Sequence, residues 1–479
     1  MNKELQIPEL VALTASELRT GLAAGDFSQD EVAAQYLGHI DRVNPHLNAL
    51  IHIERDAWRE TAEVAASTAL LAGVPVSVKD NLWVGGRLAS NGSRLFREFR
   101  APVDAFSVER LRAQGAAFIG GTNCSEFACK GNTTNLLYGA TRHPLDPSRT
   151  PGGSSGGAAA AVAAGLCAVA LATDAGGSVR RPAAHAGVVG FKPSAGAIAH
   201  GAGFDEPVYG QSVVGVMARS VADVSLTFEQ LHGYDLRDPQ SVSSAMLAAA
   251  QPERRLRIAY SPRLGLGFAV DSGVARAVDQ AVGLLAQAGH TVEYRDPPWP
   301  GKVREADLMP LQLAGLASIY GEAFRREPDQ FDPDIAAQIE SGLALPATAV
   351  TDALELRKRL FTAMRTLFGE FDCLVTPTTP CVAWPIERNA PETLEGKLAG
   401  PRDHAVFTPL FNHTYLPACS VPCGLAEHQL PAGLQIVGPL YADRMVLALA
   451  AEIESLLGQP FHRPSVRLPS RINPSSHIA

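Results

Sequence analysis

The chain has 479 residues, 46% hydrophobic and 19% charged, with a net charge of −8 at pH 7. That length supports a large buried core, and the acidic balance excludes a broad phosphate-binding face, which rests on clustered Lys and Arg. Seven cysteines (Cys124, Cys129, Cys167, Cys373, Cys381, Cys419 and Cys423) are odd in number, scattered and without a Cys-x-x-Cys pair, so they read as reduced, buried thiols of a cytoplasmic protein rather than zinc ligands.

The N-terminus, with Glu4, Glu9, Glu17 and Arg19, lacks the apolar core of a signal peptide. Helices are expected over residues 15–45, where Ser16 can cap Glu17-Leu18-Arg19 and Ser28-Gln29-Asp30-Glu31 forms a capping-box pattern. Gly73 to Asp80 reads as a short strand ending at a polar turn, Ser107 to Gln114 as a helix, and Ala117 to Gly120 as a buried strand. A polar loop, 131–149, leads to Thr150-Pro151-Gly152-Gly153-Ser154-Ser155-Gly156-Gly157. An Ala-rich helix (158–164), a strand (168–173), a glycine turn and a helix starting near Ser178 follow. Ser154 to Thr173 carries no charge and is long enough to span a bilayer. Its Ala and Gly content gains little from lipid, so it reads as buried core. Leu256 to Tyr260 and Thr291 to Tyr294 bracket a helix marked by Val274, Val278, Val282 and Leu285. A mostly helical stretch runs on to about Phe371, then strands at Cys373 to Val375 and Gly433 to Gly438. The alternation predicts an α/β protein with a mixed central sheet covered by helices on both faces.

Chemistry concentrates between Lys79 and Pro182. Gly176-Gly177-Ser178 falls where a strand gives way to a helix, so free N–H groups there can face a developing oxyanion. Lys79 ends the apolar run Val74 to Val78, and burying its amine favours the neutral form that a base requires. Gly152-Gly153-Ser154-Ser155-Gly156 also fits G-x-S-x-G, but no strand is expected to end in the Pro-broken loop before it. His185 and His413 read as core or surface histidines. No Gly-Lys-Ser/Thr closes the glycine run, which argues against a phosphate loop.

Taken together, four blocks resemble the amidase signature family: Val76-Ser77-Val78-Lys79-Asp80-Asn81, Gly121-Thr122-Asn123 with Glu126-Phe127-Ala128, Pro151 to Gly157, and Thr173-Asp174-Ala175-Gly176-Gly177-Ser178-Val179-Arg180-Arg181-Pro182-Ala183. Gly190 to Ser194, Thr376-Pro377-Thr378 and Pro431 to Gln435 extend the likeness over nearly the whole chain. The resemblance implies one domain over 1–479, with an N-terminal helical segment (about 1–65), a signature core (about 70–225) and a helical, substrate-shaping segment (about 300–371). It implies hydrolysis of an amide-type C–N bond, with Ser178 as acylated nucleophile, Ser154 as bridging serine after a cis peptide bond, and Lys79 as terminal base. It further implies an oxyanion hole from the N–H groups of Ala175, Gly176, Gly177 and Ser178, and a pocket position at Ala128. Ser155, Asp174 and Arg180 match supporting residues, and Arg180 is expected to fix the loop rather than touch substrate.

Family does not fix substrate. The alternative is the amidase subunit of a tRNA-dependent amidotransferase, which releases ammonia from glutamine. That subunit carries a Gly-Phe-Gly-x-Glu-Val-Lys-Arg-Arg-like segment, whereas this chain reads Ile319-Tyr320-Gly321-Glu322-Ala323-Phe324-Arg325-Arg326, and Val216 stands where proline is common before Met-Ala-Arg. The expectation is a stand-alone amidase, with pocket walls from loops around 126–138, 200–212 and 310–350. Its partners would be a small amide and water, with no cofactor, metal, nucleic acid or membrane; a homodimer is left open.

Overall fold

One mixed sheet of eleven strands organises the computed structural model, which describes residues 3–61, 69–247, 255–458 and 461–468. In chain order the strands are β1 (Leu50–Ile53), β2 (Pro75–Lys79), β3 (Ala117–Thr122), β4 (Val169–Asp174), β5 (Val189–Lys192), β6 (Val213–Ala218), β7 (Arg257–Tyr260), β8 (Thr291–Tyr294), β9 (Cys373–Pro377), β10 (Ala418–Leu425) and β11 (Pro431–Val437). Their order across the sheet is β1-β3-β2-β4-β6-β5-β10-β11-β9-β7-β8. The β3-β2-β4 and β9-β7-β8 groups pair in parallel, and every other neighbour pair is antiparallel. β2, β4 and β6 are buried along their whole length, as strands covered on both faces must be.

The α/β expectation holds, as do the capping box at Ser28 and the buried character of Ser154 to Thr173. Among the described residues no helix is long and apolar enough to cross a membrane. Several boundaries differ. The helix Ala15–Ala24 is capped by Thr14, which forms the box with Glu17, while Ser16 Oγ donates to Asp223 Oδ1 at 2.9 Å. The Ala-rich helix, α1 (Gly156–Ala163), starts two residues early, because Thr133 Oγ1 accepts from Gly156 N at 2.8 Å. The helix expected near Ser178 is α2 (Arg180–Ala186). The helical stretch resolves into α3 (Pro310–Arg326), α4 (Pro333–Leu343) and α5 (Ala347–Leu367). β10 carries Pro422 inside the sheet, which the register tolerates through a shift between Pro422 and Gly424.

Candidate active site

Parallel pairing of β2 with β4 brings Lys79, the last residue of β2, beside the end of β4. Lys79 is fully buried, and its Nζ donates to Ser154 Oγ at 2.8 Å and to Thr173 Oγ1 at 3.0 Å. Asn81 Nδ2 donates to the same Thr173 oxygen at 2.9 Å. Burial pushes the Lys79 pKa from 10.5 down to about 8; Cys124, Asp174 and Cys129 oppose that, and the Arg181 charge adds to it. Asp80, the turn residue after the strand, makes its contacts with a different loop and accepts the Ser90 N–H at 3.1 Å. Burial raises its carboxyl to about 7.

Ser154 is delivered by a tight, glycine-built turn. The Gly153–Ser154 peptide is cis, and Thr133 Oγ1 donates to Gly152 O at 2.9 Å. A Cβ at Gly153 would collide with the Asn132 carbonyl, so only glycine fits there. No strand precedes this turn, in line with the sequence reading. His185 packs edge-on against Trp384 at 5.3 Å, and among the described residues neither ring nitrogen has a hydrogen-bond partner, so His185 enters no carboxylate–histidine–serine relay there. Burial holds both His185 and His413 down at about 3.

Ser178 sits on the turn between β4 and α2, over the buried pair Asp174–Arg180. Asp174 Oδ1 accepts the Gly177 N–H at 2.7 Å, and Oδ2 accepts those of Val179 and Arg180 at 3.1 and 3.3 Å. This departs from the expected free amides: the first turn of α2 is capped by a carboxylate, and the Gly177 N–H points at Asp174. The helix dipole favours that anion. Arg180 returns Nε and Nη2 to Asp174 at 3.0 and 2.9 Å. It also reaches Gln435 Oε1 at 2.7 Å and Asn412 Oδ1 at 2.5 Å, and Gln435 in turn donates to Thr376 Oγ1 at 3.0 Å. The downstream blocks at Thr376 and Gln435 therefore brace the serine turn from beneath. Burial alone would raise the Asp174 carboxyl, but the charge and hydrogen bonds of Arg180 outweigh it and hold the group well below the usual carboxylate range. Gly177 has φ 109°, and a Cβ there would strike Thr408.

A cavity opens on this turn and is lined by Ser154, Thr173, Ala175 and Ser178. Ala128 lies on its wall, with Phe127 and Ala128 both in the left-handed region at φ 50° and 59°. His200, the run from Phe204 to Val208, Ser212 and Gln312 close it, so each expected wall region contributes, the last through helix α3. Thr173, Asn81 and Asn412 carry contacts that composition gave no reason to single out. Thr173 has a signal only in retrospect, being the polar residue that ends an apolar strand. Among the described residues no group of three His, Cys, Asp or Glu could hold a metal.

Fold and site together define an amide-hydrolysing enzyme built on a mixed α/β sheet. A bacterial aryl acylamidase of the amidase signature family superposes with a TM-score of 0.84 at 28% identity, covering 95% of this chain and 99% of that one. The 6-aminohexanoate cyclic dimer hydrolase, in complex with substrate, gives the same TM-score, identity and coverage. The chain belongs to the Amidase family, whose profile matches residues 31–447. It is an amidase-type enzyme acting on carbon–nitrogen bonds other than peptide bonds. Among curated relatives, an acylamidase of Rhodococcus erythropolis is 34% identical over 93% of this chain and 95% of its own length. The A subunit of the glutamyl-tRNA(Gln) amidotransferase of Symbiobacterium thermophilum is 33% identical over 95% of this chain and 99% of its own length.

Proposed function

We propose that the chain hydrolyses a small organic amide through an acyl-enzyme on Ser178, with Ser154 and Lys79 moving the protons. The observation that carries this reading is the 2.8 Å contact between buried Lys79 Nζ and Ser154 Oγ, with Ser154 lining the same cavity as Ser178. Neutral Lys79 takes a proton from Ser154, which takes one from Ser178 as Ser178 Oγ attacks the carbonyl carbon. The N–H groups of Ala175, Gly176 and Ser178 are the donors left for the oxyanion once Gly177 is engaged. The relay then protonates the leaving nitrogen and the C–N bond breaks. Water enters by the same relay, releases the acid and restores Ser178. The Ala128 backbone shapes the pocket wall.

The reading is of a stand-alone enzyme. Glutamine would bring an α-carboxylate into a cavity whose charged lining is Asp205 and Glu206, with no Lys or Arg among the described lining residues. The seven free, buried cysteines suit a reducing compartment, and we read the chain as cytoplasmic. Fluorophosphonate labelling with peptide mapping tests the nucleophile, alongside a screen of the purified chain over alkyl, aryl and amino-acid amides including glutamine. Label on Ser178, absent in Ser178→Ala, is expected. Label on Ser154 or Ser155 would overturn the assignment, and turnover of glutamine above all other amides would favour the amidotransferase reading.

A further inference from the structure

Beside the cavity that holds Ser178 lies a second recess, and the two share the wall formed by Phe204 and Asp205. The recess is lined by Trp83, Phe96, Phe99, Phe204, Ile319 and Tyr320. The rings pack as a continuous group: Phe204 lies 4.8 Å from Phe96, 5.4 Å from Phe99 and 5.6 Å from Trp83, centroid to centroid. Tyr320 stacks on Phe127 at 3.7 Å, and Phe127 lines the first cavity, so aromatic surface runs from the candidate nucleophile's pocket into the recess.

The charges on this path have one sign. Asp205 lines both spaces, and Glu206 follows it on the wall of the first, where its Oε1 accepts from Gly210 N and burial raises its carboxyl above the usual range. Among the described residues neither lining contains Lys or Arg. Three arginines, Arg94, Arg97 and Arg100, flank Phe96 and Phe99 in the chain; all three are exposed and outside the described lining of the recess, Arg97 pairing with Glu98 at 3.6 Å and Arg100 donating to Gly86 O at 3.1 Å.

A neutral hydrocarbon would fill the aromatic recess but would press an apolar body against the Asp205 carboxylate and take water from it. An anion would meet the Asp205 carboxylate and the negative faces of the rings. An alkylammonium group is attracted by both, because ring quadrupoles and carboxylates favour the same charge. We propose that the recess is the subsite for a positively charged alkylammonium group, at the end of the substrate remote from the scissile amide. This rests on the reading of Ser178 as the acylated residue, which places the amide in the first cavity.

The test uses ω-trimethylammonio alkanamides over a series of chain lengths, their isosteric tert-butyl amides and the corresponding ω-carboxylates. Binding to the full-length Ser178→Ala chain is measured by calorimetry, and hydrolysis by the unaltered chain is followed separately. The cationic amide of best length is expected to bind about tenfold more tightly than its tert-butyl isostere, the scale of a partly exposed cation–π contact joined to an ion pair. Asp205→Asn and Trp83→Leu should each shrink that ratio. Equal or tighter binding of the tert-butyl or carboxylate amide at every length would overturn the proposal. Cation-selective binding to Ser178→Ala without turnover by the unaltered chain would uphold the subsite and count against the amidase reading instead.

Discussion

Arg180 and Asp174 form an ion pair with no solvent exposure on either side chain, and the pair occupies the underside of the Ser178 turn. Asp174 gathers three backbone N–H groups of the turn and the guanidinium, while Arg180 ties that cluster to β11 through Gln435 and to Asn412. Removing two buried charges together can be neutral, whereas removing one leaves the other uncompensated.

Arg180→Met should therefore cost about 3–5 kcal/mol of stability, the scale for breaking a buried pair. The double variant Arg180→Met/Asp174→Asn should recover part of that loss, a coupling that urea unfolding of the cycle measures. The pH dependence has a definite sign. A carboxyl held below its unfolded value of 3.8 contributes stability above that value, and the contribution fades as pH falls below it. Arg180→Met should lack this component of acid sensitivity. Additive single-variant costs would show that the two residues act independently.

Much of this site is legible as candidates in the sequence, for a physical reason. Glycine-built turns and an apolar strand ending in lysine are local features, so Lys79, Ser154 and Ser178 stand out by their neighbours in the chain. Partners that depend on register do not. Thr173 meets Lys79 only because β2 pairs with β4 in parallel, with Val78 opposite Leu171. The Asp174 carboxylate takes the N–H groups that helix geometry alone would leave free, which a pattern of residue types cannot reveal. β10 escaped notice because Pro422 argues against a central strand, and the register shift that admits it is a tertiary fact. Thr14 displaces Ser16 as helix cap because Asp223, over two hundred residues away, claims Ser16.

Chelation gives a separate prediction. With no metal-ligand cluster among the described residues and a lysine–serine relay as the proposed proton path, hydrolysis should survive prolonged treatment with EDTA. The measurement is initial rate before and after chelation and desalting. Loss of activity that returns with added zinc or manganese would contradict the proposed path.

The last prediction concerns pH and bears directly on the base. Lys79 accepts a proton only when neutral, and burial brings its pKa down to about 8. The fraction in working form therefore rises with pH through that value, so the rate of Ser178 labelling by a fluorophosphonate should climb from pH 6 to 9 and then level, as a single ionisation. Other buried groups titrate nearby and could imitate the limb: Asp80 and Glu126 are raised to about 7 by burial, and Lys192 is lowered to about 7. His185 and His413 are not among them, since burial holds both near 3. Lys79→Met separates these cases. It should slow labelling by roughly 10²–10⁴-fold, the usual worth of a positioned base, and flatten the remaining profile across the limb. Circular dichroism and the urea midpoint check that the variant is folded. A folded Lys79→Met chain that keeps most of its rate and the same limb would remove Lys79 from the mechanism, and Lys192→Met would then be the variant to compare.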